Sequence, residues 1–316
     1  MTSLRARASR LVSRVLAPEI GALRRQLNEQ YEQSRRLRVG LGALMAREIA
    51  GTASCCEQAQ YSAFSQFGED GIIEYLIQHC DIAPQKFVEI GVETYAEANT
   101  RFLAEHRLWR GLIVDQNPQL VRDLARTNLN WRAQVRAVST FVTRKNIGAI
   151  VAPFVGDDGL GLLSVDIDGV DFWMLEQLVD FGPAMVVVEY NSLFGATAPV
   201  SVPYDHAFDR SRPEYHNVYY GAGVAAFEHL LVGRGYALVA CSTGGNNAFF
   251  VRTDRLGTVP ARSALDAFRP RRFVEHKDLD GALTGIADRE RQLDEIRDLP
   301  LVDVTSGRSL SVAEIL

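Results

Sequence analysis

Lysine is nearly absent: the 316 residues hold three (Lys86, Lys145, Lys277) against 31 arginines. A bias this uniform along the chain points to GC-rich coding rather than to a surface tuned for nucleic acid. Cysteine is scarce too. The four (Cys55, Cys56, Cys80, Cys241) form no CxxC pair and no zinc spacing. Adjacent cysteines rarely bond to each other, so the expected state is reduced thiols in a cytoplasmic protein. No apolar run approaches the ~20 residues that a membrane-spanning helix needs. The GxGxxG fingerprint of a dinucleotide fold is also missing.

What is present is unevenly charged. The net charge of −5 conceals ten arginines and four glutamates in residues 1–50, a balance of +6, so the remainder carries −11. A body this acidic excludes nucleic acid as an expected substrate or partner.

Three regions follow. Residues 1–60 are expected to be a helical extension, with Leu16, Ile20, Leu23, Leu27 and Tyr31 on one stripe and Leu37, Leu41 and Leu44 continuing it. An apolar stripe with charged flanks and nothing to pack on suggests a coiled coil and a homo-oligomer. Arg5, Arg7, Arg10 and Arg14 leave two rivals, a helix in peripheral contact with a membrane and an organellar transit peptide.

Residues 61–254 alternate strands and helices. Strands are expected at Lys86–Ile90, Gly111–Asp115, Gln134–Val138, Gly161–Asp166, Ala184–Glu189, Tyr236–Cys241 and Ala248–Arg252, with helices at Ala96–His106 and Pro118–Thr127. Such alternation gives a parallel sheet covered on both faces. The turn-forming linker 242–246 joins the last two strands as a hairpin. The expected class is therefore α/β: a Rossmann-like, seven-stranded class I methyltransferase sheet with a terminal antiparallel hairpin. Residues 255–316 form a tail with a charged helix near Leu283–Arg297 and an edge segment at Leu301–Val304, with no chemistry expected in it.

The cofactor segment is Phe87–Asn99. A strand ends in Glu89 and Gly91, where an open sheet binds ligands and a glycine lets backbone come close. Glu89 suits an ammonium, and Glu93 beside it would repel a pyrophosphate, so a cationic sulfonium cofactor, S-adenosylmethionine, fits better than NAD. Asp115 ends the next strand, where an acid accepts ribose hydroxyls. Gln66, Thr94, Asn99, Gln116 and Ser139 complete the candidate cofactor set.

The runs Ser65–Ile73, Phe87–Thr100, Trp109–Asp115, Leu163–Asp171, Val186–Asn191 and Asn246–Arg252 resemble FkbM-type S-adenosylmethionine-dependent methyltransferases and, more distantly, the macrocin O-methyltransferase group. The most specific parts are Ser65-Gln66-Phe67-Gly68-Glu69-Asp70 and Ser164-Val165-Asp166-Ile167-Asp168-Gly169. The resemblance implies methyl transfer to a hydroxyl of a carbohydrate or glycolipid acceptor. One position departs from it: many such enzymes carry a second glycine four residues after the first, where this chain has Tyr95.

Asp166, Asp168 and Asp171 close the fourth strand, and Glu189 and Asn191 the fifth. Gathered hard oxygens suit Mg²⁺, which would lower the pKa of a coordinated hydroxyl. The resemblance implies the same metal role for Asp166, Glu189 and Asn191. Asp166 and Asp171 are also catalytic candidates, with Asp171 equally suited to cap the following helix. His206 and His216, in the long insert Ser192–Tyr220, are candidate bases. Two other readings remain: a non-catalytic scaffold on this fold, and an NAD-dependent oxidoreductase, which the missing glycines disfavour.

Overall fold

The computed structural model describes the backbone of residues 2–315 and the side chains of residues 17–315. Five parallel strands form in chain order: β1 (Lys86–Ile90), β2 (Arg110–Asp115), β3 (Arg136–Ser139), β4 (Leu162–Val165) and β5 (Met185–Glu189). After the short β6 (Val200–Ser201) come β7 (Tyr236–Cys241) and β8 (Asn247–Arg252), joined as a hairpin. The main sheet runs β3-β2-β1-β4-β5-β8-β7, with β8 antiparallel to both neighbours. Counted in chain order within that sheet, this is 3-2-1-4-5-7-6, the strand order of class I methyltransferases.

The central strands are buried on both faces, as continuous runs such as Met185–Val188 require. One apolar cluster holds Val88, Leu163, Val186 and Phe250, and the other Phe87, Leu162, Val187 and Phe249. Strand alternation divides the side chains between them.

The tail belongs to this body. Ala264, Leu293, Ile296 and Leu301 lie in the first cluster, and β9 (Pro300–Asp303) pairs with both β6 and β10 (Ser309–Ser311). A second small sheet thus ties the insert after β5 to the chain's end.

The expected helix from Ala96 to His106 is corrected. Residues 91–100 form an ordered loop, and helical backbone begins at Arg101, continuing as a π-turn over Leu103–Arg107. Glu93 and Tyr95 take positive φ (48° and 60°), which stops a right-handed helix there.

The first helix, α1 (Thr2–Thr52), is 51 residues long, and among its described side chains those buried against the body lie in its C-terminal third. Arg35, Gly42, Ala46 and Ile49 are buried, and Val39 is partly so. Gly42 is demanded by contact: a Cβ there would lie 2.5 Å from the Phe102 ring. Arg35 pairs with Glu105, which also meets Arg101 at 2.7 Å. The expected stripe Ile20, Leu23, Leu27, Tyr31, Leu37, Leu41 and Leu44 is exposed on another face. The arginines 5, 7, 10 and 14, and Leu16, lie outside the described side chains. No described helix is long and apolar enough to cross a membrane.

Gly91, at the switch point between β1 and β4, has φ +84°, and a Cβ there would sit 1.5 Å from the Asp166 carbonyl oxygen. This backbone crossing by itself demands a glycine. We predict that Gly91→Ala destabilises the fold by more than about 3 kcal/mol, read as a fall in the denaturant midpoint.

Candidate active site

Beyond the carboxyl ends of β1, β2, β4 and β5 lies a cavity of about 770 Å³, a volume suited to a small-molecule ligand. Its walls are loops, and buried acids hold those loops in shape.

Asp70 Oδ2 accepts the backbone N–H groups of Ala63, Phe64 and Ser65 at 2.7, 2.6 and 2.9 Å. Glu69 accepts from Phe67 at 2.8 Å and from the Asn247 amide at 3.1 Å. The Ser65–Asp70 run therefore builds the wall that presents Ser65, Gln66 and Phe67 to the cavity.

Glu89 accepts from the backbone of Asn99 (2.8 Å) and Thr100 (3.0 Å) and from the Thr100 hydroxyl. Burial pushes its carboxyl up to about 7 against those hydrogen bonds. Asp115 Oδ2 accepts from Val92 and Glu93 at 2.9 and 2.7 Å, and its Oδ1 from Asn117 at 2.7 Å. Both acids line the cavity, yet most of their acceptor capacity is engaged by their own loops.

Tyr95 occupies the left-handed position where a glycine was expected. Its ring is fully buried, its hydroxyl lies 3.1 Å from Thr100 Oγ1, and Arg101 holds its carbonyl at 2.9 Å. Core packing thus compensates a backbone conformation that costs a non-glycine residue about 1 kcal/mol. The loop bends without the second glycine.

Of the expected cofactor residues, Gln66, Glu89, Gly91, Glu93, Thr94, Asn99, Asp115 and Gln116 all line the cavity. Ser139 does not: its hydroxyl donates to the Asn117 carbonyl, and its neighbours Thr140, Phe141 and Val142 line the wall instead.

At the β4 and β5 ends, Asp166, Asp168 and Glu189 place one carboxylate oxygen each within 4.8 Å of one another. Burial, then the neighbouring Asp168, holds Asp166 well above the ordinary carboxylate range. Burial and Asp166 do the same to Glu189, whose Oε2 is buried without a hydrogen-bond partner. An orphaned oxygen in a cluster of three acids calls for a proton or a cation.

Two members of the expected set are corrected. The Asn191 oxygen accepts from Leu193 N at 3.0 Å, and its amide donates to Val218 and Tyr220 carbonyls, so it braces the insert instead of facing an ion. Asp171 accepts from Ile167 (2.7 Å) and Gly169 (3.0 Å), shaping the turn that carries Asp168; it does not line the cavity.

The insert supplies the third wall through Tyr204, His206, Phe208 and Arg210. His206 lies at the rim with its side chain 80% exposed. His216 is corrected as a base for the cavity. It does not line it, and its Nδ1 meets the Lys277 carbonyl at 2.9 Å.

Sequence reasoning missed Arg210. It pairs with Asp168 and Glu275, donates to the Asn217 carbonyl at 3.0 Å, and stacks 3.8 Å over the Tyr220 ring. Burial works against its charge, but Tyr220, Asp168, Glu189 and Glu275 outweigh that and keep it cationic. The tail, expected to hold no chemistry, contributes Glu275 and Phe273, the latter stacked on Phe67 at 5.0 Å. Neither arginine nor tail carried a motif; only the excess of acid at the strand ends signalled that a cation was needed.

No family model matches the sequence, and no curated protein matches it. Solved structures similar to the chain include an O-methyltransferase family protein from Burkholderia thailandensis, at 10% identity, TM-score 0.34, over 69% of this chain and 57% of that one. The O-methyltransferase TomG from Streptomyces achromogenes, in complex with SAM, is 13% identical, TM-score 0.39, over 68% of this chain and 89% of that one. Human N-acetylserotonin methyltransferase, also with SAM, is 13% identical, TM-score 0.31, over 55% and 48%. At these values the likenesses carry no argument, and the fold assignment rests on strand order.

Glu89→Gln should destabilise the protein by about 1–3 kcal/mol, because an amide cannot accept from both Asn99 and Thr100. A raised carboxyl pKa stabilises the fold fully below about pH 4.5, and that contribution is lost as pH rises through about 7. Urea unfolding at a series of pH values should show this component in the parent protein and not in the variant.

Proposed function

We propose that the protein is an S-adenosylmethionine-dependent O-methyltransferase acting on a hydroxyl of a carbohydrate or glycolipid. The observation that carries this reading is one cavity at the sheet's carboxyl edge bounded by cofactor-type acids on β1 and β2 and an acid cluster on β4 and β5. The reading extends the resemblance to FkbM-type and macrocin-type methyltransferases at those same runs.

The loop Gly91–Asn99 and Asp115 would hold the amino-acid and ribose parts of the methyl donor. Thr140–Val142 would border its base. The acceptor would enter beneath the insert, where Tyr204 and Phe208 offer faces for a sugar ring and Asp205 and Asp209 accept its hydroxyls. Asp166 would take the hydroxyl proton as oxygen attacks the methyl carbon and the carbon–sulfur bond breaks. The same oxygens of Asp166, Asp168 and Glu189 fit Mg²⁺, and Glu189 Oε2 is the acceptor left over for it. When bound, such an ion would supply Lewis acidity to the acceptor oxygen.

Incubation with methyl-labelled donor and a panel of glycans should label a carbohydrate, and Asp166→Asn should abolish turnover while leaving cofactor affinity within about threefold. Full activity in Asp166→Asn would remove the catalytic assignment. The base must be ionised, so kcat/KM should rise with pH through its raised pKa. Asp168→Asn removes a neighbouring negative charge and should move that acidic limb to lower pH.

We further propose that two copies pair through α1, with the domain acting as a homodimer. Ile20, Leu23, Leu27, Leu37, Leu41 and Leu44 share the a and d positions of one heptad register with the polar Gln30 and Ser34, which hold the d and a positions between Leu27 and Leu37. In a parallel pair Glu19 at g faces the partner copy's Arg24 at e, an attractive contact. Leu23→Glu with Leu27→Glu should convert a sedimenting dimer to a monomer with unchanged folding. A monomeric parent protein, or one that instead floats with anionic vesicles, would refute pairing.

A further inference from the structure

The insert and the tail meet at a second cluster of ligand-type side chains outside the cavity. His216, His276 and Glu295 each place one ligand atom within 4.8 Å of the others. His276 is 1% exposed, and its Nε2 has no hydrogen-bond partner although Glu295 Oε2 lies 2.9 Å away.

The Thr284 hydroxyl oxygen accepts the Ile286 N–H at 3.1 Å and lies 2.8 Å from His276 Nδ1. Nδ1 is thus engaged with Thr284, and Nε2 is the nitrogen turned to Glu295. With the ring proton on Nδ1, Nε2 and the carboxylate would meet lone pair to lone pair across 2.9 Å, and a cation between them would satisfy both. His216 turns its Nδ1 toward the same carboxylate, 3.5 Å from Glu295 Oε2, with the Lys277 carbonyl 2.9 Å from that nitrogen. Ring stacking holds the two imidazoles together, at 5.2 Å between centroids and 11° between planes.

We propose that His216, His276 and Glu295 bind a late first-row divalent cation such as Zn²⁺, which clamps the insert to the tail. Two imidazoles and one carboxylate form a ligand set that such ions favour and Mg²⁺ does not. Bonds of about 2.0–2.1 Å in a tetrahedron set ligand atoms roughly 3.3 Å apart. The observed 2.9 Å (His276 to Glu295) and 3.5 Å (His216 Nδ1 to Glu295) bracket that spacing. The Thr284 hydroxyl, 2.8 Å from Nδ1 of His276, is the outer partner that orients that ring. Asn217 and Glu275, next in sequence to the two histidines, line the cavity, and Glu275 pairs with Arg210. The ion would thus fix the wall beside the acid cluster without touching substrate. It is independent of the methyl-transfer reading.

The test uses full-length protein stripped of metal with a chelator, then titrated with Zn²⁺ against a chromophoric competitor and, separately, with Co²⁺. One equivalent should bind per chain, raise the melting temperature and, as Co²⁺, give the intense visible bands of a four-coordinate nitrogen-containing site. His216→Gln and Glu295→Gln should each weaken Zn²⁺ by more than the roughly 10–100-fold that loss of an outer partner costs, whereas Asp166→Asn should leave it unchanged. Failure to bind, loss of binding in Asp166→Asn, or the weak bands of an all-oxygen octahedral site would overturn the assignment. Should either histidine-cluster variant fail to fold, the Co²⁺ spectrum of the parent protein decides alone.

Discussion

Everything at the carboxyl edge of the sheet depends on buried carboxylates accepting backbone N–H groups. Loops that leave buried strand ends carry donors that water cannot reach, and each orphan would cost about 1–3 kcal/mol. Asp70, Glu89 and Asp171 answer that demand for residues 63–65, 99–100, and 167 with 169, and the half-buried Asp115 holds 92–93 and 117 in the same way. Four acids therefore act as scaffolding before any ligand is considered. The cavity is the space their loops enclose.

That expenditure divides the acids into two populations. Those with hydrogen-bonded oxygens shape the walls, and those left over, Asp166, Asp168 and Glu189, accumulate unneutralised charge in one place. Arg210 supplies one positive charge to the group through Asp168, at the end of a chain of contacts through Glu275 and Tyr220. One guanidinium against three carboxylates leaves room for a proton or a divalent cation. The insert and tail are consequently as much a part of the site as the strands are.

Strand positions and the terminal hairpin were legible because apolar runs of four to six residues bounded by turns have few alternative uses. So was the cavity's location, which follows from Glu89 and Asp115 ending adjacent strands. Roles within it were less legible. Sequence shows that Asp171 and Asn191 are polar and close to strand ends, but not that their oxygens face inward to the backbone. Tyr95 shows the limit most clearly: a buried aromatic ring can hold a left-handed backbone that local propensity assigns to glycine. Arg210 and Glu275 meet across 65 residues, and nothing in either neighbourhood announces the pair.

The central claim is that this cavity binds a sulfonium nucleoside rather than a dinucleotide. Calorimetric titration of the full chain with S-adenosylmethionine, S-adenosylhomocysteine and NAD tests it most directly. The account predicts saturable one-to-one binding of both sulfur nucleosides, weakened by Asp115→Ala, and no heat from NAD. Binding of NAD alone, or of none of the three, would contradict it.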